Sequence, residues 1–206
     1  MTTDTAPAPA ASRAPKKRKP HPTLELLFGL YPGLFGARFL PLQRGVFQAL
    51  LEKHPEVFDR DALKVALGLH TRSTKYLERV AAGDKRHNLD GQPVEDVAPE
   101  HVHHAILEVF KRRQSRTADD LRPQVRKQVL AAFERSGLAR EDYLALVRGN
   151  DPAMNALVDE AFAELAAQVA RREALQRAFA ASGKSVAEFA DMYGLDPREV
   201  GRTLSV

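Results

Sequence analysis

Apolar residues recur at helical spacing near the start of the chain. In LELLFGLYPGLF they lie on one face of a predicted helix: Leu24, Leu27, Phe28 and Tyr31. The Pro-Gly pair that follows breaks the pattern and ends this helix. A first helix is therefore predicted immediately before residue 32.

Three further helices are predicted before the pattern changes. The second covers 42–54. Asp59 is a suitable N-cap residue and precedes the apolar run of a third helix, which extends to about residue 70. Thr71 or Ser73 caps a fourth helix, STKYLERVAAG, and its final glycine ends it.

A β-hairpin follows the fourth helix. In RHNLDGQPVEDV the Asp90-Gly91 pair stands between two short flanks, and this pair is a typical hairpin turn. Asp tolerates the unusual dihedral angles of such a turn, and Gly has no Cβ to clash. Pro99 then begins a long helix, PEHVHHAILEVFKRRQ. The pattern predicts a mainly α protein with one small β-hairpin.

An internal repeat emerges in the C-terminal part when the sequence is shifted by 46 residues. AFERSGLAREDYLALVRGND (132–151) aligns with AFAASGKSVAEFADMYGLDP (178–197). We expect two similar helical hairpins joined by an Ala-rich helix over 155–177, together forming a small C-terminal helical bundle. The second copy also has the spacing of a helix-turn-helix, with Gly194 at the turn.

Composition excludes several classes of function. The 206 residues contain no Cys, which excludes disulfides, thiolate zinc sites and cysteine nucleophiles. No stretch reaches the roughly 18 apolar residues of a membrane helix, and MTTDTAPAPAASRAPKKRKP lacks the apolar core of a signal peptide, so we expect a cytoplasmic protein. No phosphate-binding Gly loop and no G-x-S-x-G motif is present. We therefore expect neither an enzyme nor a cofactor.

Charge divides the chain into three parts. Residues 1–22 have no apolar periodicity and hold five basic residues against Asp4, a surplus equal to the whole formal charge of +4. We expect this part to be a disordered basic arm. The remainder is basic over 23–117 and acidic over 118–206, which predicts two parts with different functions, the second a C-terminal helical region.

Three stretches of the sequence resemble one known family. They are PLQRGVFQALLEKH, ALKVALGLHTRSTKYLERVAAGDKRHNLDG and PEHVHHA. They are similar to the ProQ/FinO family of bacterial RNA-binding proteins and RNA chaperones over roughly 23–116. The resemblance implies binding of small RNAs and transcript 3′ hairpins with a single-stranded tail. It also implies that the protein stabilises these RNAs and promotes RNA–RNA pairing in post-transcriptional regulation.

The residues themselves are suited to binding RNA. Hydroxyls and free backbone N–H groups at a helix N-terminus attract phosphate, and the ring of Tyr76 offers a stacking surface. Neighbouring cations can follow a nucleic-acid backbone. With the family resemblance, this predicts the RNA-binding residues Arg44, Lys64, Thr71, Ser73, Lys75, Tyr76, Lys85 and Arg86. The arm adds sequence-independent phosphate contacts through Lys16, Lys17, Arg18 and Lys19.

The sequence departs from the family pattern at three positions. Lys64 stands where the family usually has Arg, Gln43 where Lys is common, and His70 where Tyr is frequent. Lys keeps the charge of Arg but loses its bidentate geometry, so contacts there should depend more on salt. We expect the same function with altered strength.

Other interpretations of these residues remain open. Tyr76 alone is equally consistent with a core position, and hydroxyls such as those of Thr71 and Ser73 are commonly only helix caps. His101, His103 and His104 are more consistent with packing than with a metal site, since no third ligand has suitable spacing.

Two alternative functions also remain. One is a protein-interaction adaptor or an effector of osmoregulatory transport that acts through a protein partner at 118–206. The other, less favoured because its second helix lies in the acidic part of the chain, is a DNA-binding regulator that uses the helix-turn-helix-like segment.

Overall fold

The computed structural model describes residues 21–204, which are mainly α-helical with one two-stranded antiparallel sheet. The first part contains α1 (Pro22–Leu30), α2 (Val46–Lys53), α3 (Arg60–Thr71), α4 (Thr74–Ala82), β1 (Arg86–His87), β2 (Pro93–Glu95) and α5 (Pro99–Gln114). The second part contains α6 (Arg122–Ser136), α7 (Arg140–Val147), α8 (Pro152–Ser182), α9 (Val186–Tyr193) and α10 (Pro197–Leu204). The predicted fold class is confirmed.

Local capping sets most of the boundaries in the first part. The Asp59 side chain accepts a hydrogen bond from the Ala62 amide (2.8 Å) and begins α3. Gly83 adopts the left-handed conformation (φ 80°) that ends α4. In the hairpin turn, the Asn88 side chain accepts hydrogen bonds from two amides of the turn, and Gly91 has a φ of 75°. These boundaries follow the sequence prediction.

The prediction that the second helix begins at residue 42 is wrong. Gly45, at φ 77°, separates α2 from the preceding residues, so the helix begins at Val46. Leu42 instead lies beside β1, where it forms a parallel bridge with His87. The His87 amide donates to the carbonyl of Pro41 (2.7 Å), so 41–43 extends the small sheet.

Two other features differ from the sequence prediction. A π-helical turn, Pro32–Ala37, follows α1 where the pattern predicted only a break. Thr71 does not cap α4: it is the last residue of α3, and its hydroxyl donates to the Leu67 carbonyl (2.9 Å). Ser73 is the N-cap of α4, where its hydroxyl oxygen accepts from the Tyr76 amide (3.3 Å).

One hydrophobic core extends from α1 into the first half of α8. Phe35, Leu50, Ile106, Tyr143 and Phe162 are among its fully buried members. Helices α6 and α7 pack against α5 in this core. The predicted domain boundary at residue 117 lies between helices that share it, and the division of the chain stays a prediction.

A second, smaller core holds the C-terminal helices together. Phe189, Ala190 and Val200 form it, with Phe179 and other residues from the end of α8 packed around them. The long α8 therefore connects the two cores. Among the described residues, no helix has the length and apolar character needed to span a membrane.

Candidate nucleic-acid interface

The junction between α3 and α4, residues 70–76, is held from behind by α5. One guanidinium nitrogen of Arg112 donates to the Arg72 carbonyl (2.8 Å) and to the Thr74 hydroxyl (3.2 Å). Glu108, one turn earlier on α5, holds the same guanidinium at 2.8 Å. The start of α4 is thereby held in place: its Tyr76 amide donates to Ser73, and its first two amides have no acceptor within the helix.

Tyr76 and Arg86 meet at the backbone of Leu42. The Tyr76 hydroxyl oxygen accepts from the Leu42 amide (3.1 Å), and the Arg86 guanidinium donates to the Leu42 carbonyl (2.9 Å). Tyr76 is only 6% exposed, and its pKa is raised because burial outweighs the opposing effects of the Leu42 hydrogen bond and the Arg86 charge. Tyr76 therefore connects α4, and Arg86 connects the hairpin, to the segment that precedes α2.

His70 lies behind Tyr76 in a cluster of aromatic rings. Its ring stacks on Phe39 (5.1 Å between centroids) and meets Phe35 and Tyr76 at 4.7 and 5.3 Å. Neither ring nitrogen has a hydrogen-bond partner among the described residues, and burial lowers the pKa of His70 to about 4. A neutral His70 therefore fills the space behind the junction.

Exposed cations surround the junction. Lys64 lies on the exposed side of α3, and Lys75 lies in the first turn of α4 with its ammonium 5.2 Å from the Phe39 ring centre. The Arg72 guanidinium lies so close to Gly68 that a Cβ on this glycine would be 3.2 Å from one of its nitrogens. Gly68 is one helical turn from Lys64, so these cations flank the N-terminus of α4.

The cations near the hairpin have acidic partners. Arg44 lies 3.2 Å from Glu95, which also approaches Arg86 at 3.8 Å, and Lys85 lies 3.5 Å from Asp96. The Arg44 and Lys85 side chains are largely exposed. Exposed pairs of this kind contribute only about 0–1 kcal/mol, so they leave these cations available to a phosphate.

The structure distributes the predicted residues over this surface unequally. Ser73, Lys75, Tyr76 and Arg86 converge on the α4 N-terminus and Leu42, as described above. The Thr71 hydroxyl already donates to the Leu67 carbonyl within α3. The four predicted basic residues of the arm, 16–19, lie outside the described residues.

Sequence reasoning missed four residues that shape the site. Arg72 had a signal in the sequence, since it is a cation between Thr71 and Ser73, two of the predicted RNA-binding residues. Phe39 contacts His70 and Lys75 from a segment with an unusual backbone angle (φ 55°), which no local sequence motif predicts. Leu42 acts through its backbone, and Arg112 acts across 38 to 40 residues of sequence, so neither had a local signal.

The three histidines of α5 do not form a common site. His103 is buried, with its Nδ1 3.1 Å from the Tyr143 hydroxyl, whereas His101 and His104 are exposed. Within the part of the chain that the structure describes, no group of three or more His, Asp or Glu residues could hold a metal ion.

Known proteins similar to this chain support the family resemblance. The sequence model of the ProQ/FINO family matches residues 17–122. The RNA chaperone ProQ of Shewanella frigidimarina is 42% identical over 69 residues, which are 32% of this chain and 34% of that protein. The RNA chaperone ProQ of Shewanella baltica is 42% identical over 67 residues, 32% of each chain. The match thus spans about a third of these relatives.

Two solved structures are also similar to this chain. A FinO-like RNA chaperone from Neisseria meningitidis is 31% identical, covers 40% of this chain and 85% of its own, and gives a TM-score of 0.38. A ProQ homolog from Legionella pneumophila is 24% identical, covers 56% and 99%, and gives 0.39. Since the family model covers more than half of the sequence, the chain belongs to the ProQ/FinO family.

Proposed function

We propose that this protein is an RNA-binding chaperone that binds structured RNAs, such as small RNAs and transcript 3′ hairpins with a single-stranded tail. It acts in the cytoplasm by binding, stabilising these RNAs and promoting RNA–RNA pairing, without catalysis. Its family membership and the RNA chaperones among its relatives support this proposal.

The observation that carries the proposal is the cationic surface around the α4 N-terminus. Lys64, Arg72 and Lys75 are exposed there, and the first-turn amides of α4 point to the same end of the helix. A phosphate placed at this end gains hydrogen bonds from the amides and favourable interaction with the helix dipole and the cations. Arg112 holds the junction in position before RNA binds, which reduces the entropic cost of binding.

Tyr76 and Arg86 have a different role in this proposal. Tyr76 is nearly buried and its hydroxyl is bonded to Leu42, so we assign it to shaping the pocket rather than to stacking with a base along its whole ring. The Arg86 guanidinium donates to the Leu42 carbonyl, and 16% of the side chain remains exposed. It is therefore the residue beside Leu42 that can both support the pocket and contact RNA.

The basic arm extends the proposed contact by charge alone. Lys16, Lys17, Arg18 and Lys19 can release counterions from a nucleic acid and speed association, whatever its sequence. Their contribution should appear as salt dependence without preference for one RNA end.

The test is binding of the full chain to a labelled RNA hairpin with a U-rich 3′ tail. We expect the hairpin with a free 3′ hydroxyl to bind more tightly than the same hairpin with a 3′ phosphate or without the tail. Replacing Arg86 with Gln should reduce this preference. As a matched control, Arg198→Gln on the exposed surface of α10 should leave it unchanged.

Three results would contradict the proposal in different ways. Absence of binding near physiological salt would reject RNA binding. Equal affinity for all three RNA ends would reject a 3′-end pocket and leave a general basic surface. Loss of the preference for a free 3′ hydroxyl in the Arg198→Gln variant would indicate that RNA contacts the C-terminal helices instead.

A further inference from the structure

A second basic cleft lies beside the hairpin, and it contains residues that the predicted RNA site does not include. Its volume is about 490 Å³. It is lined by Arg38, Leu40, Arg79, Asp84, Lys85, His87 and Pro93. We call it the Arg79 cleft. It brings the segment after the π-helical turn, the outer side of α4 and the hairpin together.

The Arg79 cleft lies on the opposite side of β1 from the Leu42 junction. Lys85 and His87 line the cleft, whereas Arg86 between them is bonded to the Leu42 carbonyl. The pairing of β1 with β2 is irregular between Arg86 and His87. A ligand in the cleft therefore meets a set of side chains different from the one around Tyr76.

The central cation of the cleft is held in place by the protein. Arg79 donates from Nε to the Arg38 carbonyl (3.1 Å), and one of its terminal nitrogens lies 3.6 Å from Asp84. About half of the Arg79 side chain remains exposed. The guanidinium thus has a fixed orientation and an accessible side, which favours binding of an anion at low entropic cost.

The charge of the cleft favours an anionic ligand. Arg38, Arg79 and Lys85 face a single acid in the lining, Asp84. His87 adds a ring nitrogen, Nδ1, that is buried and has no hydrogen-bond partner within the described residues. By contrast, the larger cleft between α5 and α7 is lined by three acids, Glu100, Glu108 and Asp151, against Lys111 and Arg148.

The cleft is also continuous with the α4 N-terminus. Lys75 and Arg79 are four residues apart on α4, which places them about 6 Å apart along the helix axis and on the same face. The Lys75 ammonium lies over the ring of Phe39. Phe39 in turn lies between Arg38 and Leu40 in the sequence, and both of these residues line the cleft. Cations therefore continue along α4 at a spacing suited to successive phosphates of one nucleic-acid strand.

We propose that the Arg79 cleft binds a phosphodiester group of the RNA backbone, as a second contact beside the 3′-end pocket. This inference rests on the proposed RNA binding. The cleft contacts phosphate without reading the RNA end, so its contribution is independent of the chemistry at the 3′ terminus. It accounts for cations at Arg38, Arg79 and Lys85 that the Leu42 junction does not use.

The test uses the full chain with Arg38→Gln and Lys85→Gln together, which leaves Arg79 and its support of the fold intact. We expect the affinity for the tailed hairpin to fall about tenfold, and the slope of log affinity against log salt to become shallower by about 1.4 to 1.8 for two lost phosphate contacts. The loss should be the same for a 3′ hydroxyl and a 3′ phosphate.

The matched control is Lys184→Gln with Arg198→Gln, which removes the same two charges from the surface of the C-terminal hairpin. It should leave affinity and slope close to those of the unmodified protein. Thermal unfolding of both variants checks that neither loses its fold.

The possible outcomes separate this inference from the function on which it rests. If the unmodified protein does not bind the hairpin, both are rejected. If it binds, and the Arg38/Lys85 variant matches the control in affinity and slope, only the cleft is rejected. If the variant loses affinity only for the 3′ hydroxyl form, the cleft belongs to the 3′-end pocket and the proposed separate contact is wrong.

Discussion

Two short helix pairs in this molecule have similar size but different surroundings. The α3–α4 pair is joined at Arg72 and Ser73, and α5, the aromatic cluster and the hairpin lie behind it. The α9–α10 pair turns at Gly194 and packs against the C-terminal half of α8. Each pair consists of two short helices joined by a tight turn, so the pairs differ in what surrounds them and not in their helix content.

Charge and support distinguish the two pairs. The exposed surface of α3 and α4 presents Lys64, Arg72 and Lys75 around a fixed helix N-terminus. Both helices have a serine N-cap, but at α9 the Glu188 carboxylate also accepts from the Ser185 amide and hydroxyl, so a negative charge already lies where an anion would bind. Exposed cations and a rigid base therefore occur together at the α3–α4 pair, whereas a carboxylate lies at the N-terminus of α9.

The largest expected difference concerns the two tyrosines at these pairs. Tyr76 is 6% exposed, whereas Tyr193 is 56% exposed. We expect Tyr76→Ala to lower the free energy of unfolding by about 3–5 kcal/mol, because it leaves a cavity, and Tyr193→Ala by about 1 kcal/mol or less. Urea unfolding of both variants measures this, and equal losses would contradict the assigned burial.

The second prediction concerns acid, which should weaken the main core and spare the C-terminal pair. Burial lowers the pKa of His70 and His103 from 6.5 to about 4, and the charge of His104 contributes for His103. Between pH 4 and pH 6.5 the unfolded chain binds more protons at these two histidines than the folded chain does. The stability that depends on their neutral state is therefore complete above pH 6.5 and falls as the pH drops towards 4. The expected loss is about 2 kcal/mol per histidine at pH 5.

Chemical unfolding at pH 7.5 and pH 5 checks the acid effect. The variant His70→Phe should lose roughly half of the pH dependence, and His101→Gln, on the exposed side of α5, should keep all of it. No histidine follows residue 104, so α9 and α10 should show no such dependence in hydrogen exchange. A pH dependence unchanged in His70→Phe would reject the buried neutral state of that ring.

The third prediction compares cations on the two helix pairs. Lys64→Gln with Lys75→Gln should lower hairpin affinity about tenfold and reduce the salt slope by about 1.4 to 1.8. Lys184→Gln with Arg198→Gln removes the same charge and should have little effect. Equal losses in fluorescence anisotropy titrations would mean that net charge, and not this surface, governs binding.

The smallest expected effects come from the two N-caps. Ser73→Ala and Ser185→Ala each remove a hydroxyl that accepts from a first-turn amide, at a cost of about 1 kcal/mol. For Ser73 the cost should appear in global unfolding, because α4 belongs to the main core. For Ser185 it should appear only as faster hydrogen exchange in α9, and a global loss there would contradict the separation of the two cores.

The elements that the sequence predicted well are those that local chemistry determines. Asp59 begins α3, Gly83 ends α4, and the Asp90-Gly91 turn sits where its residue types require. The repeat also has a local basis: Phe133 contacts Tyr143 at 5.3 Å, and Phe179 contacts Phe189 at 5.4 Å in the second copy.

The elements that the sequence did not predict depend on contacts between distant residues. Leu42 leaves the expected helix because Tyr76 and Arg86 bind its backbone across 34 and 44 residues. The two copies of the repeat have the same local packing, yet only the first joins the main core, where Tyr143 meets His103. No local pattern could distinguish those two environments.

Photo-crosslinking locates the RNA on the surface of the protein. The full chain is bound to an RNA hairpin that carries 4-thiouridine in its 3′ tail, irradiated and digested, and the crosslinked peptides are identified by mass spectrometry. The account predicts crosslinks within 60–86, around the α4 N-terminus and Arg86. Crosslinks concentrated in α9 and α10 would contradict it and assign RNA binding to the C-terminal pair.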